Sequence, residues 1–206
     1  MTDRLLPMFP LSTVLFPHTR LPLQVFEPRY RTMVAECLAG DGLFGVVLIA
    51  RGSEVGGGDQ RVDVGTMASI ETAEARPDGR WLLVAVGLGL VRVTQWLDDD
   101  PYPRARVEPW DPAPTTDCDA LHQAEAEVRR ARGLLSELGE APALPAHPDA
   151  NSDPDKAAWW LCGAAPVGVF DRQQLLEAPG PHERLALLIE LVRDVSDDLE
   201  RIVAGG

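Results

Sequence analysis

Glycine-rich segments are the first place in this chain where chemistry could reside. Gly52-Ser53-Glu54-Val55-Gly56-Gly57-Gly58 offers backbone N–H groups that could approach a phosphate. A Walker loop needs a lysine where Gly58 stands, followed by a serine or threonine for magnesium, and here Asp59 follows instead. Gly87-Leu88-Gly89 lacks the third glycine and the following helix of a dinucleotide fingerprint. We therefore predict a loop between strands at 52–58, and no nucleotide site at either segment.

Two pairs of side chains have a spacing that catalysis or metal binding uses. Lys156 follows Ser152 by four residues, but Ser152 is better placed to cap a helix than to act as a nucleophile. Cys118 and His122 are one helical turn apart, yet structural zinc needs four ligands and no second pair accompanies them. No Gly-x-Ser-x-Gly motif occurs. The sequence predicts no catalytic residue, no metal site and no cofactor.

Composition and charge exclude several classes of partner. The 206 residues carry a net charge of −13, which repels a phosphate backbone, so we expect no nucleic acid. No apolar run approaches the roughly 20 residues that cross a bilayer, and Pro7 interrupts any signal peptide. The three cysteines, Cys37, Cys118 and Cys162, are odd in number and far apart, which favours reduced thiols. We expect a cytoplasmic protein that does not bind membranes.

The first half of the chain has the signals of a mainly β domain with one helix. Pro28 suits a first helical turn, apolar residues then recur at helical spacing, and Gly40 ends the pattern. We expect Phe26, Tyr30 and Met33 to be core residues beside a charged helix entry. Further on, Pro77-Asp78-Gly79 predicts the turn of a β-hairpin between strands 69–76 and 81–86. A separate strand is predicted at 90–96.

Three aromatic residues near the end of this half are candidates for a binding surface. Trp96, Tyr102 and Trp110 lie beside the acidic run 98–100 in a proline-rich segment, and irregular aromatic loops often supply the residues that dominate binding. Nearby prolines predict that 102–110 is an edge strand, which could accept an extended peptide. The alternative is that the aromatic rings pin this crossover onto the core.

The second half has helical periodicity. Apolar residues from Leu121 to Leu138 form one stripe of a helix of about 20 residues. A proline-rich loop is predicted at 139–148, followed by a short helix capped by Ser152 or Asp153. Asp171 is predicted to cap a second short helix, and a final helix begins at Pro181.

These patterns place a β domain at 1–112 and a helical subdomain at 118–206. The internal boundary falls in the proline-rich stretch 111–117. Helical tails of this kind can dimerise, so the exposed face of 121–138 is a candidate homodimer face, and Val128 is the position that tests it.

The apolar segment Leu6-Pro7-Met8-Phe9-Pro10-Leu11 continues through Phe16-Pro17 into Phe26-Glu27-Pro28-Arg29-Tyr30. With the following Phe44–Ile49 run and the glycine-rich loop, this N-terminal third closely resembles the substrate-binding domain of Lon proteases. A weaker match is Glu183-Arg184-Leu185. The resemblance implies an α+β fold: a six-stranded, PUA-like β pseudobarrel with one inserted helix, followed by a helical bundle.

The same resemblance implies a function without catalysis. The chain would recognise polypeptide, including unfolded protein, and present it to a separate ATP-dependent protease. Three alternatives stay open: a module for one specific partner protein or a small ligand, an unrecognised enzyme, and RNA binding, which the charge opposes.

Overall fold

The computed structural model describes residues 3–52, 60–110, 113–115, 117–140, 144 and 153–205. Two compact units make up the chain, Met1–Asp111 and Pro112–Gly206. Most of the glycine-rich loop, Ser152 and most of the predicted loop 139–148 lie outside the described residues. The division into a β-barrel domain at 1–112 and a helical subdomain at 118–206 stays a prediction.

The N-terminal unit is a ring-like, six-stranded mixed sheet with one helix. Strand β1 pairs in parallel with β3, and all other pairings are antiparallel. The sheet order is β2-β5-β4-β3-β1-β6, and β6 closes the ring by pairing with β5. This confirms the pseudobarrel with one inserted helix. The elements are β1 Arg4–Leu11, β2 Arg20–Val25, α1 Pro28–Ala39, β3 Leu43–Arg51, β4 Gln60–Ala75, β5 Trp81–Trp96 and β6 Arg104–Pro109.

Strand β5 is one strand of 16 residues where two shorter strands were predicted. Its first half pairs with β2 and β4, and its second half pairs with β4 and β6. A bulge separates the halves, because Met67 lies opposite Gly89 while the next residue of β4, Ala68, lies opposite Gly87. A Cβ on Gly87 would lie 2.3 Å from the carbonyl oxygen of Phe16, so this position requires glycine.

Strand β6 is a member of the ring that is paired on both sides, so the prediction of an edge strand at 102–110 is wrong. It pairs with β1 on one side and with β5 on the other. Pro101 and Pro103 precede the strand and Pro109 is its last residue. Residues 104–108 therefore keep the N–H groups that two ladders need.

The sheet has a hydrophobic core on each face. Side chains of α1 pack with residues of β1, β3 and the first half of β5 in the first core. The second core fills the ring interior, with residues of β1, β3, the second half of β5 and β6. Adjacent residues Val46 and Val47 belong to different cores, as strand alternation requires. Tyr30 and Met33 are in the first core as expected, but Phe26 is 54% exposed, so that part of the expectation is wrong.

The C-terminal unit contains α2 Cys118–Glu137, α3 Pro154–Ala164, α4 Val169–Glu177 and α5 Pro181–Gly205. Asp117 and Asp153 cap α2 and α3 by accepting hydrogen bonds from the backbone N–H groups of Ala120 and Lys156. Asp171 does not cap α4 as predicted. It lies in the first turn and accepts a hydrogen bond from the N–H of Gly168, at 3.2 Å.

The predicted dimer face of α2 is covered by its own chain. Val128 is fully buried, as are the other central residues of the stripe, and α2 packs on α5. Arg193 on α5 pairs with Glu127 on α2, Nε to Oε1, at 2.7 Å beside this contact. The stripe therefore forms the core of the helical unit and leaves no apolar face at Val128 for a second copy.

Candidate functional site

Tyr102 lies in the core of the ring unit. It is 5% exposed, and its hydroxyl donates a hydrogen bond to the carboxylate of Glu36 on α1. Burial, followed by this bond, raises the pKa of Tyr102 to about 12. The ring of Tyr102 therefore anchors the segment before β6 and is not at the surface.

Trp96 ends strand β5 and is held in a charged network. The guanidinium of Arg61 lies 4.9 Å from the ring centroid of Trp96, and the Trp96 Nε1–H donates to Asp63 Oδ1 at 3.1 Å. Arg61 also pairs with Asp99, Nη2 to Oδ2, at 2.5 Å. Trp96 is half-buried and its indole N–H is occupied.

Trp110 lies at the opposite end of the same ladder. Strands β5 and β6 pair from Trp96 opposite Ala105 to Val91 opposite Pro109, and Trp110 follows Pro109. Its backbone N–H donates to the carbonyl of Leu90 at 3.0 Å, and Arg92 stacks 4.9 Å from its ring centroid. The three predicted aromatic residues therefore do not form one surface.

An apolar cleft of about 620 Å³ opens beside Trp110. Its floor consists of residues of the ring interior, including Val91 and Val107, and Leu88 of the β5 bulge reaches its mouth with 43% of its surface exposed. Asp3 and Arg4 supply charge at the rim. The lining residues are Asp3, Arg4, Met67, Leu88, Gly89, Leu90, Val91, Val107 and Pro109.

Sequence reasoning missed this cleft, although it left a signal. Gly87-Leu88-Gly89 was weighed only as a phosphate-binding fingerprint. A leucine between two glycines within a strand is also typical of a bulge that turns an apolar side chain outward. The cleft is lined by residues of β1, β4, β5 and β6, which are far apart in sequence. No local pattern could therefore have predicted its walls.

A second open surface lies on the part of the sheet that extends beyond the ring. Here β2, the first half of β5 and the second half of β4 form a three-stranded sheet. Leu21, Leu23 and Ala73 pack toward the α1 core from one face. A shallow groove of about 500 Å³ runs along this sheet, where Leu82 is 38% exposed.

Two of the three thiols, Cys37 and Cys162, are buried, whereas Cys118 is exposed. Burial raises the pKa of the Cys37 thiol to about 11 and that of Cys162 to about 12, so both are neutral at physiological pH. No group of three or more possible metal ligands occurs among the described residues. Within the same residues, no helix combines the length and the apolar character needed to span a bilayer.

Comparison with known proteins identifies the family. The model of the ATP-dependent protease La (LON) substrate-binding domain matches residues 5–194, so the chain belongs to this family. The match is to the substrate-binding domain and not to the catalytic parts of Lon.

Individual relatives agree with this assignment. The chain is 27% identical to the Lon protease of Syntrophus aciditrophicus and 29% identical to Lon protease 2 of Herpetosiphon aurantiacus, in each case over 95% of this chain. It spans only about a quarter of their length, 26% and 24%. A LON peptidase N-terminal domain and RING finger protein of Schizosaccharomyces pombe is 24% identical over 89% of this chain and 44% of its own.

Solved structures show the same fold. The Lon N-terminal domain protein from Xanthomonas campestris is 26% identical, with a TM-score of 0.65, and the match covers 91% of this chain and 98% of that one. The N-terminal domain of Mycobacterium avium complex Lon protease, 17% identical, has a TM-score of 0.64 over 93% of this chain and 99% of its own. The second supports the fold alone.

Proposed function

We propose that the chain recognises polypeptide without catalysis, through the apolar cleft beside Trp110. The observation that carries this proposal is the cleft itself, which an exposed leucine, Leu88, borders in a member of the Lon substrate-binding family. Unfolded chains expose apolar side chains that folded proteins bury, and a cleft of this size admits one or two of them. With a net charge of −13, the protein favours segments that combine apolar and basic residues.

Substitution of Leu88 tests the location. Leu88→Gln is expected to weaken binding of a permanently unfolded protein, reduced and carboxymethylated lactalbumin, about fivefold, because about 1 kcal/mol of apolar burial is lost. Leu38→Gln is the matched control, since Leu38 on α1 is also 43% exposed and lies outside the cleft. Equal binding by the two variants and the unmodified protein would remove the cleft from the proposal.

The aromatic candidates are tested in the same assay. Trp110→Ala is expected to weaken binding because Trp110 adjoins the cleft through Leu90. Trp96→Ala tests the other end of the ladder. A loss confined to Trp96→Ala would move the binding surface to that end, whereas Tyr102 enters the proposal only as an anchor of the fold.

Delivery of the bound polypeptide to a separate ATP-dependent protease is part of the proposal. The match to the substrate-binding domain supports a chain that does not itself cleave. The absence of a disulfide at Cys37 and Cys162 is consistent with the reducing cytoplasm. Faster degradation of unfolded lactalbumin by an ATP-dependent protease when this chain is added would support delivery, and an unchanged rate would contradict it.

A second candidate function is binding of one folded partner or a small ligand in the same cleft. The cleft volume, about 620 Å³, lies within the range of small-molecule sites. Competition discriminates the two: unfolded lactalbumin should displace bound apolar peptide if polypeptide recognition is right, and native lactalbumin should not.

A further inference from the structure

Among the described residues, strand β2 pairs on one side only, which leaves its other side as a free edge. It pairs with β5 on one side, and the sheet order ends at β2 on the other. Arg20, Pro22 and Gln24 are all exposed. An exposed strand edge carries unpaired backbone N–H and C=O groups, which is the surface that an additional strand requires.

The register shows which backbone groups face outward. Gly87 N–H donates to the carbonyl of Thr19 at 3.0 Å, so the backbone groups of Thr19 point toward β5. Because backbone direction alternates along a strand, those of Leu21, Leu23 and Val25 also point toward β5. The intervening residues, Arg20, Pro22 and Gln24, then direct their backbone groups to the free edge. Proline at position 22 agrees with this alternation. Its backbone faces the free edge, so its missing N–H removes no hydrogen bond from the β2–β5 ladder.

The edge therefore offers an alternating set of donors and acceptors. Arg20 and Gln24 each provide an N–H and a C=O, and Pro22 between them provides only a C=O. The missing central donor reduces pairing with another copy of the same edge, a device that limits aggregation. It leaves enough groups to hold one extended chain reversibly.

The surroundings of β2 favour an apolar chain. Phe26, 54% exposed, follows the strand directly, and the groove over Pro22, Leu82 and Val84 lies on the same three-stranded sheet. The opposite edge of this sheet, the second half of β4, carries Glu71, which pairs with Arg20 of β2 at 2.7 Å, and Glu74, which lines the same groove. Pro22 and the exposed Phe26 therefore make the β2 edge more apolar than the β4 edge.

We propose that an extended segment of the bound polypeptide adds to the sheet as a further strand at β2, with alternate side chains over the groove. This inference rests on the proposed function and specifies its substrate class: extended chain recognised chiefly through its backbone. Main-chain hydrogen bonds do not depend on sequence, so this mode suits many unrelated unfolded proteins.

The test measures the affinity of a labelled ten-residue peptide in which Val alternates with Thr and Lys. Three forms are compared: one unmodified, one N-methylated on the backbone of the odd residues and one N-methylated on the backbone of the even residues. An added strand donates from every second residue, so one methylated form should lose at least about tenfold in affinity and the other should retain binding. Equal affinities for all three forms would overturn strand addition.

A protein variant provides the second readout. Gln24→Pro removes one outward N–H and is expected to bind the unmodified peptide about fivefold more weakly than Gln24→Ala, which removes the same side chain but keeps the N–H. Circular dichroism checks that both variants fold. If Gln24→Pro does not fold, the methylated peptides alone test strand addition.

Failure of the two proposals is distinguishable. If the unmodified protein binds neither the peptide nor unfolded lactalbumin, the proposed function and strand addition both fail. If it binds both but is insensitive to N-methylation, only strand addition fails.

Discussion

The hydroxyl of Tyr102, before β6, donates a hydrogen bond to the carboxylate of Glu36 on α1. Their positions are 66 residues apart in sequence, and the Tyr102 ring lies in the same core as Tyr30 and Met33 of α1. This contact joins the only helix in the described part of the ring unit to the segment that leads into the closing strand. It therefore stabilises both the position of α1 and the closure of the ring.

Tyr102→Phe is expected to lower the free energy of unfolding by about 1 kcal/mol, measured by urea denaturation at pH 7. The loss is modest because Glu36 is exposed and water replaces the hydroxyl. The folded pKa of about 12 lies above the unfolded value of about 10. The folded state therefore holds its proton more tightly, and the stability advantage over Tyr102→Phe is present below pH 10 and decreases as pH rises toward 12. A constant advantage from pH 9 to 11.5 would contradict this.

Substitution of Gly65 on β4 tests whether its close approach to β3 requires glycine. A Cβ at Gly65 would lie 2.2 Å from the carbonyl oxygen of Val46, so backbone must shift, and Gly65→Ala is expected to cost about 3 kcal/mol. Gly89 on β5 is the matched control, because a Cβ there meets no atom within 4 Å. Thermal unfolding should show a lower midpoint for Gly65→Ala and a change within about 1 kcal/mol for Gly89→Ala. Equal losses would show that the close approach of Gly65 to the Val46 carbonyl does not determine the cost of its substitution.

Local signals predicted the elements that local forces determine. The Pro77-Asp78-Gly79 turn is confirmed, with Gly79 at a φ of +80°, as is α1 with Pro28 in its first turn. Each depends on residues within a few positions of one another. The apolar stripe of α2 was also correctly assigned to a helix.

Properties that depend on distant pairing were missed. Whether β6 is an edge depends on β1 and β5, and its flanking prolines carry no information on those partners. Tyr102 was predicted either as part of a binding surface or as an anchor of the crossover, and only the bond to Glu36 on α1 and the burial of its ring distinguish the two. The stripe containing Val128 was a candidate homodimer face because the sequence does not show that α5 covers it.

Val128→Ala should therefore act on stability and not on association. Val128 is fully buried on α2, so its truncation is expected to cost about 2 kcal/mol of unfolding free energy, while the mass in solution measured by light scattering stays unchanged. Gln123→Ala, at an exposed position of the same helix, is the control and should alter neither quantity by a measurable amount. A change of mass with unchanged stability would restore the dimer face.

The three thiols should differ in reactivity. Cys118 is exposed, whereas Cys37 and Cys162 are buried with pKa values raised to about 11 and about 12. Ellman's reagent at pH 8 is expected to modify one thiol quickly and two only as the protein unfolds. Cys118→Ser should abolish the fast phase, and its survival in that variant would show that a buried thiol is accessible.

Arg184 on α5 is a buried cation whose charge is incompletely satisfied. Its guanidinium lies 3.7 Å from the ring centroid of Trp159, and Nε donates to the carbonyl of Leu175 at 3.2 Å. Nη1 and Nη2 are buried and have no hydrogen-bond partner within the described part of the chain. Burial lowers the pKa of Arg184 below its ordinary value, as the cost of desolvating a charge requires.

A neutral side chain of similar length should therefore replace Arg184 better than a short one. Arg184→Ala is expected to cost about 4 kcal/mol, because a cavity opens beside Trp159. Arg184→Met should cost about 2 kcal/mol less, since methionine fills the space, contacts the ring and removes the desolvation cost. Arg193→Met, at a half-exposed ion pair, is the control and should cost under about 1 kcal/mol. Urea denaturation measures the free energy of unfolding of the three variants. Equal losses of stability for Arg184→Ala and Arg184→Met would show that the cation itself, through its contacts with Trp159 and Leu175, stabilises the helical unit.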